Sequence, residues 1–106
     1  MVEPFLFEVS VTRRGHLAVA GQIDLDTAPI LRRALAGALA ELAIPPALVV
    51  DLSAVDFIDA AGIGVLVGVA NRARRAGGGM ALRAPSPTVV RVLALVGLTG
   101  AFPLVD

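Results

Sequence analysis

The chain has 106 residues and a mass of 10.8 kDa, and its nine arginines balance nine carboxylates to a formal net charge of zero. The absence of cysteine excludes disulfides, thiolate metal sites and cysteine nucleophiles. With one histidine, no tryptophan and no tyrosine, the chain lacks both the stacking groups and the net field of a nucleic-acid or anionic-membrane binder, and 57% hydrophobic residues exclude disorder.

A chain of this length is expected to form one domain, residues 1–106, around a single core. Its longest uninterrupted apolar stretch, Ala60 to Ala70, is eleven residues with three glycines. A membrane span needs about 20. Ala34 to Val50 contains Glu41 and the pair Pro45–Pro46, which breaks any helix there. The start, MVEPFLFEVS, has neither a basic region nor a small-residue cleavage site. No secretory signal and no membrane insertion are therefore expected, and a cytoplasmic location is.

Phe5 to Arg13 alternates, with Phe5, Phe7, Val9 and Val11 against Leu6, Glu8, Ser10 and Thr12. This predicts a strand with one buried face. A turn at Arg13–Gly15 follows, and His16 to Ile23 reads as the hairpin partner. His16 reads as a solvated turn residue. Asp26 or Thr27 then caps a helix, with Pro29 in its first turn. Ile30, Leu31, Ala34, Leu35, Ala38, Leu39 and Leu42 recur along it at helical spacing. Ala47 to Leu52 is almost wholly apolar, as suits a central, parallel strand covered on both sides.

The second helix, with its approach and exit, lies within Val55–Gly79. Asp59 is its N-cap and Gly77–Gly79 its end. Met80 to Ala84 reads as a strand. Ser86 caps a third helix with Pro87 at its first position, ending near Gly97, and Ala101 to Val105 reads as a last edge strand. The order β-β-α-β-α-β-α-β predicts an α/β fold with a mixed sheet and helices packed on it.

On a helical wheel Ile63, Leu66, Val67 and Ala70 share the core face of the second helix. Val65 and Val69 fall on the opposite side, with Gly64 and Gly68 between the two faces. Two readings stay open for this second patch: ordinary exposed valines, or a partner-protein surface beside a glycine-smoothed flank. The loop at the helix start carries free N–H groups and the positive end of the helix dipole, as many helix starts do. No metal-ligand spacing exists, and His16 has no nucleophile nearby, so no metal, cofactor or enzymatic activity is expected. Gly62, Gly64 and Gly68 fit G-x-G-x-x-x-G, a variant of the dinucleotide fingerprint. Against a nucleotide binder, Gly62 falls inside the helix and far from the strand at Leu52. The next strand ends in Arg83 and not in an acid for a ribose, and the chain is short for such a domain.

Three blocks carry a resemblance over essentially the whole chain: GQIDLDTAP, LVVDLSAVDFIDAAGIGVLVGVANRARRAGG and PSPTVVRVLALVGL. In order and spacing they resemble the STAS-domain family of bacterial anti-sigma factor antagonists. The resemblance implies a mixed sheet with helices packed on one side. It also implies a partner, a switch-protein kinase of the histidine-kinase-like ATPase type that sequesters a sigma factor. Such a kinase inactivates its antagonist by phosphorylating a hydroxyl in a D-S-S-G type motif at the start of the second helix.

Here that motif reads Asp59–Ala60–Ala61–Gly62, with Ala61 at the phosphoacceptor position. A methyl group accepts no phosphate, so the charge-based off-switch is missing. This leaves a constitutively active antagonist, one regulated by expression or another ligand, or an interaction subunit of a different complex, such as a stressosome-like or lipid-transport assembly. Ser53, Ser86 and Thr27 read as turn or cap hydroxyls and not as substitutes. Asp24 matches an acidic position near the loop. Asp24 and Asp59 are read as turn-fixing and helix-capping residues rather than as an acid–base pair. The expected partner surface is therefore Asp24, the loop Asp59, Ala60, Ala61 and Gly62, and the first turns with Ile63, Gly64, Val65 and Val69.

Overall fold

The computed structural model describes residues 7–106, so Phe5 and Leu6 of the first expected strand lie outside the described residues. Strand β1 (Glu8–Arg13) and strand β2 (His16–Ile23) form an antiparallel hairpin, with Val9 opposite Val19 and Val11 opposite Leu17. Helix α1 (Ala28–Ala40), strand β3 (Ala47–Ile58), helix α2 (Ala60–Arg75), strand β4 (Gly79–Arg83), helix α3 (Pro87–Leu95) and strand β5 (Leu104–Val105) follow. The sheet order is β1-β2-β3-β4-β5, and every pair after the hairpin is parallel.

That order fixes where the helices go. Each crossover from β2 onward steps to the next strand in the same direction. Right-handed crossovers therefore put α1, α2 and α3 on one face. The strands alternate accordingly: Leu17, Val19, Leu48, Val50, Leu52, Met80 and Leu82 are buried beneath the helices. Ala18, Val49, Asp51, Ala81 and Arg83, on the other face, are only half-buried. β3 is central and parallel as expected, but its second face is open and not covered by a helix layer. Its apolar character reflects β-branched packing as much as two-sided burial.

β3 is also longer than expected and runs to Ile58. Beyond Asp51 it has no pairing with β4 and is held by β2 on one side. On its other side Ser86 takes over. The Ser86 N–H donates to the Leu52 carbonyl at 3.2 Å, and its hydroxyl donates to the Val55 carbonyl at 2.6 Å. The same oxygen accepts from the Val89 N–H at 3.4 Å, so Ser86 caps α3 while bracing β3. The buried face expected for β1 is only partly realised. Val9 is half-buried, but Val11 is 65% exposed, because β1 is an edge strand and α1 does not reach over its far end.

The largest departure concerns α2. Val65 and Val69 are each 2% exposed, and both belong to the hydrophobic core. α2 packs against α1 as well as against β3 and β4. A helix between a sheet and a parallel neighbour buries two faces, and a wheel with a single core stripe misassigns the second. At the far end, Gly77 adopts a left-handed φ of +86°, and the Gly78 N–H closes the helix onto the Ala73 carbonyl. A side chain on Gly78 would overlap the backbone of Pro46, which locks the α2–β4 turn against the α1–β3 connection.

His16 is half-buried at the start of β2, with its Nε2 3.2 Å from the Arg13 guanidinium. Burial, then the charges of Arg13 and Arg83, hold its pKa below the ordinary 6.5. The unfolded chain therefore binds the proton more readily, and His16 opposes folding as pH falls from about 6.5 through its lower native pKa. The urea midpoint of the wild type relative to His16→Gln should rise as pH climbs from the lowered native pKa to about 6.5 and level off above that. A flat difference across that window would show that the histidine does not couple to folding. Val65→Asp places an unpaired charge in the core and should cost at least about 3 kcal/mol in urea denaturation.

Candidate functional site

β2 and β3 end side by side at the carboxyl edge of the parallel sheet, where Ile23 pairs with Ile58. The Asp59 N–H donates to the Ile23 carbonyl at 3.1 Å and ties the two strand ends together. Loops after parallel strands gather at this edge, where α/β sheets usually place their sites. Two short loops meet here: Asp24–Thr27 leading into α1, and Asp59 leading into α2.

Each loop is organised by one aspartate. Asp24 Oδ1 accepts from the N–H groups of Asp26 at 2.9 Å and Thr27 at 3.1 Å, and its carbonyl accepts from the Ala28 N–H at 2.8 Å. This is an Asx-type turn that starts the chain into α1. Thr27 stands at the cap position of α1 but makes no capping bond. Its hydroxyl instead donates to the Gln22 carbonyl at 2.8 Å and accepts from the Asp24 N–H at 2.9 Å.

Asp59 does cap its helix. Its Oδ1 accepts from the N–H groups of Ala61 at 2.9 Å and Gly62 at 3.3 Å, while its carbonyl accepts from Ile63 at 3.0 Å. The first N–H groups of α2 are thus already spent on a resident carboxylate, and an incoming anion would meet a negative charge. The two aspartates fix a turn and cap a helix, as the sequence suggested.

Gly62 is the tightest point. A Cβ there would lie 2.5 Å from Ile23 Cγ2 and 2.8 Å from Ile58 Cγ1. Glycine lets the first turn of α2 rest directly on the two strand ends. All three glycines of the G-x-G-x-x-x-G pattern lie within α2, where backbone groups belong to the helix rather than to a phosphate-binding turn. The strand does end closer to Gly62 than its apolar run suggested, but that proximity creates no loop.

The expected partner residues separate into two groups. Ala60 and Gly64 are exposed, and Asp24, Asp59 and Ala61 are half-buried, so these five reach the surface around the tip of α2. Gly62, Ile63, Val65 and Val69 are buried and present no side chain there for a partner. Two large apolar residues outside the expected set stand out instead: Leu25 is 78% exposed and Phe57 is 44% exposed. Phe57 pairs in register with Gln22, and Leu25 follows the end of β2, so both belong to this edge. Exposed Asp26 and Asp56 sit next to them in sequence. The signal was available as large apolar residues flanked by aspartates, DLD after β2 and DFID at the end of β3.

The candidate replacement hydroxyls are engaged. Ser53 Oγ donates to Asp51 Oδ1 at 2.7 Å, and Ser86 and Thr27 serve the roles given above. Among the described residues no group of three or more His, Cys, Asp or Glu could hold a metal ion. No helix among them is long and apolar enough to cross a membrane. The tip is an apolar knob with an acidic border, and its polar groups are largely satisfied internally.

The family model described as "Mlab, STAS domain" matches residues 8–106. The anti-sigma-B factor antagonist of Bacillus subtilis is 35% identical over 80 residues, which cover 76% of this chain and 71% of that protein. The anti-sigma-F factor antagonist RsfB of Mycobacterium tuberculosis is 36% identical over 69 residues, 60% of this chain and 55% of RsfB. Among solved structures, an anti-sigma factor antagonist from Mycobacterium paratuberculosis matches at a TM-score of 0.79 and 31% identity, over 98% of this chain and 89% of that one. The antagonist SpoIIAA in its unphosphorylated form matches at 0.73 and 21% identity, over 95% and 89%, and shows the same fold.

Asp59→Ala should destabilise the protein by about 1 kcal/mol through loss of the cap. Gly62→Val should cost more, about 1–3 kcal/mol, through overpacking. Thermal unfolding of the two variants checks that order, and a fully tolerated Gly62→Val would contradict the close contact.

Proposed function

The chain belongs to the STAS-domain family, and from that premise we propose that it is an anti-sigma factor antagonist. It binds an anti-sigma factor of the switch-protein kinase type through the tip of α2 and so releases a sigma factor for transcription. The observation that carries this reading is the tip itself: Ala60 exposed and Ala61 half-buried, on a helix start whose N–H groups are already capped. Such a surface offers methyl and side-chain contact to another protein and little to a small anion. Exposed Leu25, in the neighbouring loop, adds apolar area, and its aspartate neighbours suit a basic border on the partner.

Ala61 stands where the resemblance puts the phosphoacceptor, so the antagonist is not switched off by phosphorylation. A phosphoryl group would bring about two negative charges to this acidic edge and repel an interface that tolerates methyl groups. The protein acts as a binding module and not as an enzyme, and its activity is set by its amount or by another ligand. The same missing hydroxyl favours a second reading, in which the tip serves as the interaction subunit of a different assembly.

Incubation with a kinase-type anti-sigma factor and ATP should add no phosphoryl mass to the wild type, whereas Ala61→Ser should become a substrate. Leu25→Asp should weaken binding of that anti-sigma factor by about tenfold with an unchanged circular dichroism spectrum. Intact binding by Leu25→Asp would remove the tip as the contact surface. If affinity capture instead recovers a complex without any anti-sigma factor, the second reading holds.

A further inference from the structure

The chain is neutral overall, but its charge is divided. α1 and α2 together carry Arg32, Arg33, Arg72, Arg74 and Arg75 and no carboxylate, while Asp24, Asp26, Asp56 and Asp59 gather at the carboxyl edge of the sheet. Between the two helices runs a groove of about 280 Å³ with Arg32 on one wall, Arg72 and Arg75 on the other, and Gly64 and Gly68 along its side. Val65 and Val69 close its floor.

Gly64 and Gly68 are unlike Gly62. A Cβ at either would meet nothing within 4 Å, so the packing of this chain does not demand glycine there. Each costs about 0.5–1 kcal/mol relative to alanine in a helix interior. What two bare positions one turn apart provide is close approach for a second backbone. From Gly64 to Arg75 the flank measures roughly 16 Å, about three helical turns. We propose that this groove docks a short acidic helix of a protein partner, with its apolar face over Gly64 and Gly68 and its carboxylates against Arg32, Arg72 and Arg75.

The charge division selects this occupant over a larger polyanion. DNA or an anionic membrane would extend beyond the groove toward the start of α2 and meet the exposed Asp26 in the neighbouring loop. A peptide of about three turns stays within the arginines. The groove adjoins the tip of α2 and shares only Gly64 with it, and the inference stands whether or not the tip meets an anti-sigma factor.

The test uses the whole chain and a synthetic helical peptide of about four turns, with glutamates on both flanks of an alanine–leucine stripe, followed by fluorescence anisotropy. The peptide should bind the wild type and weaken on going from about 50 to about 300 mM salt. The double variant Arg72→Glu/Arg75→Glu should lose about tenfold or more in affinity. Gly68→Leu, at an exposed and sterically open position, should also lose affinity by filling the groove, with no loss of thermal stability. Absence of binding to the wild type overturns the proposal. So does undiminished binding by the charge-reversed or Gly68→Leu variants, and so does tighter binding of duplex DNA or phosphatidylserine vesicles than of the peptide.

Discussion

A helix backbone lies directly on the ends of two strands at Gly62, and the position of the whole tip follows from that contact. With Ile23 Cγ2 and Ile58 Cγ1 where a side chain would begin, the first turn of α2 has a single seating. The Asp59 N–H joins the seat to β2 through the Ile23 carbonyl, and the Asp59 carboxylate ties down the next two N–H groups. Ala60 is then exposed and Ala61 half-buried on a helical turn rather than on a loop. A docking surface on a rigid element loses little conformational entropy on binding, which favours a contact made of methyl groups alone.

The sheet topology supplies the rest of the geometry. Strands added in one direction, joined by right-handed crossovers, bring all three helices to one face. α2 is thereby packed against both the sheet and α1, and its two valines become core. What remains exposed along α2 is narrow until its last turn: Ala60, Gly64, Gly68 and Arg72, one per turn, and then Arg74 and Arg75. The apolar tip and the basic groove are consecutive parts of this one stripe. The tip has an acidic border and the groove a basic one, so the two surfaces select opposite charge. A neutral total hides this division, because net charge reports the sum and not the distribution.

Three hydroxyls weighed as replacements for an acceptor at the tip are each held in a hydrogen bond. Thr27 is spent on the β2–α1 turn, Ser53 on Asp51, and Ser86 on β3 where β4 no longer reaches it. Thr27 and Ser86 satisfy backbone carbonyls, and Ser53 adds a second bond to an Asp51 oxygen that its own N–H already reaches. Freeing any of them for modification would cost local structure as well as a hydrogen bond.

Local chemistry written in the chain was enough for the element order, the hairpin partner from His16 to Ile23, the capping roles of Asp59 and Ser86, and the turn at Asp24. These depend on periodicity, cap and turn residues within a few positions of one another, and such short-range rules can be read along a line. The length of β3 was not legible, because its outer half is held by Ser86 from 31 residues away. Nor was the burial of Val65 and Val69, since a helical wheel shows that a second apolar face exists but not which neighbour covers it. The groove with its arginines from two helices likewise exists only once α1 lies beside α2. Packing partners distant in sequence settle these features, and no local pattern encodes which of two apolar faces meets water.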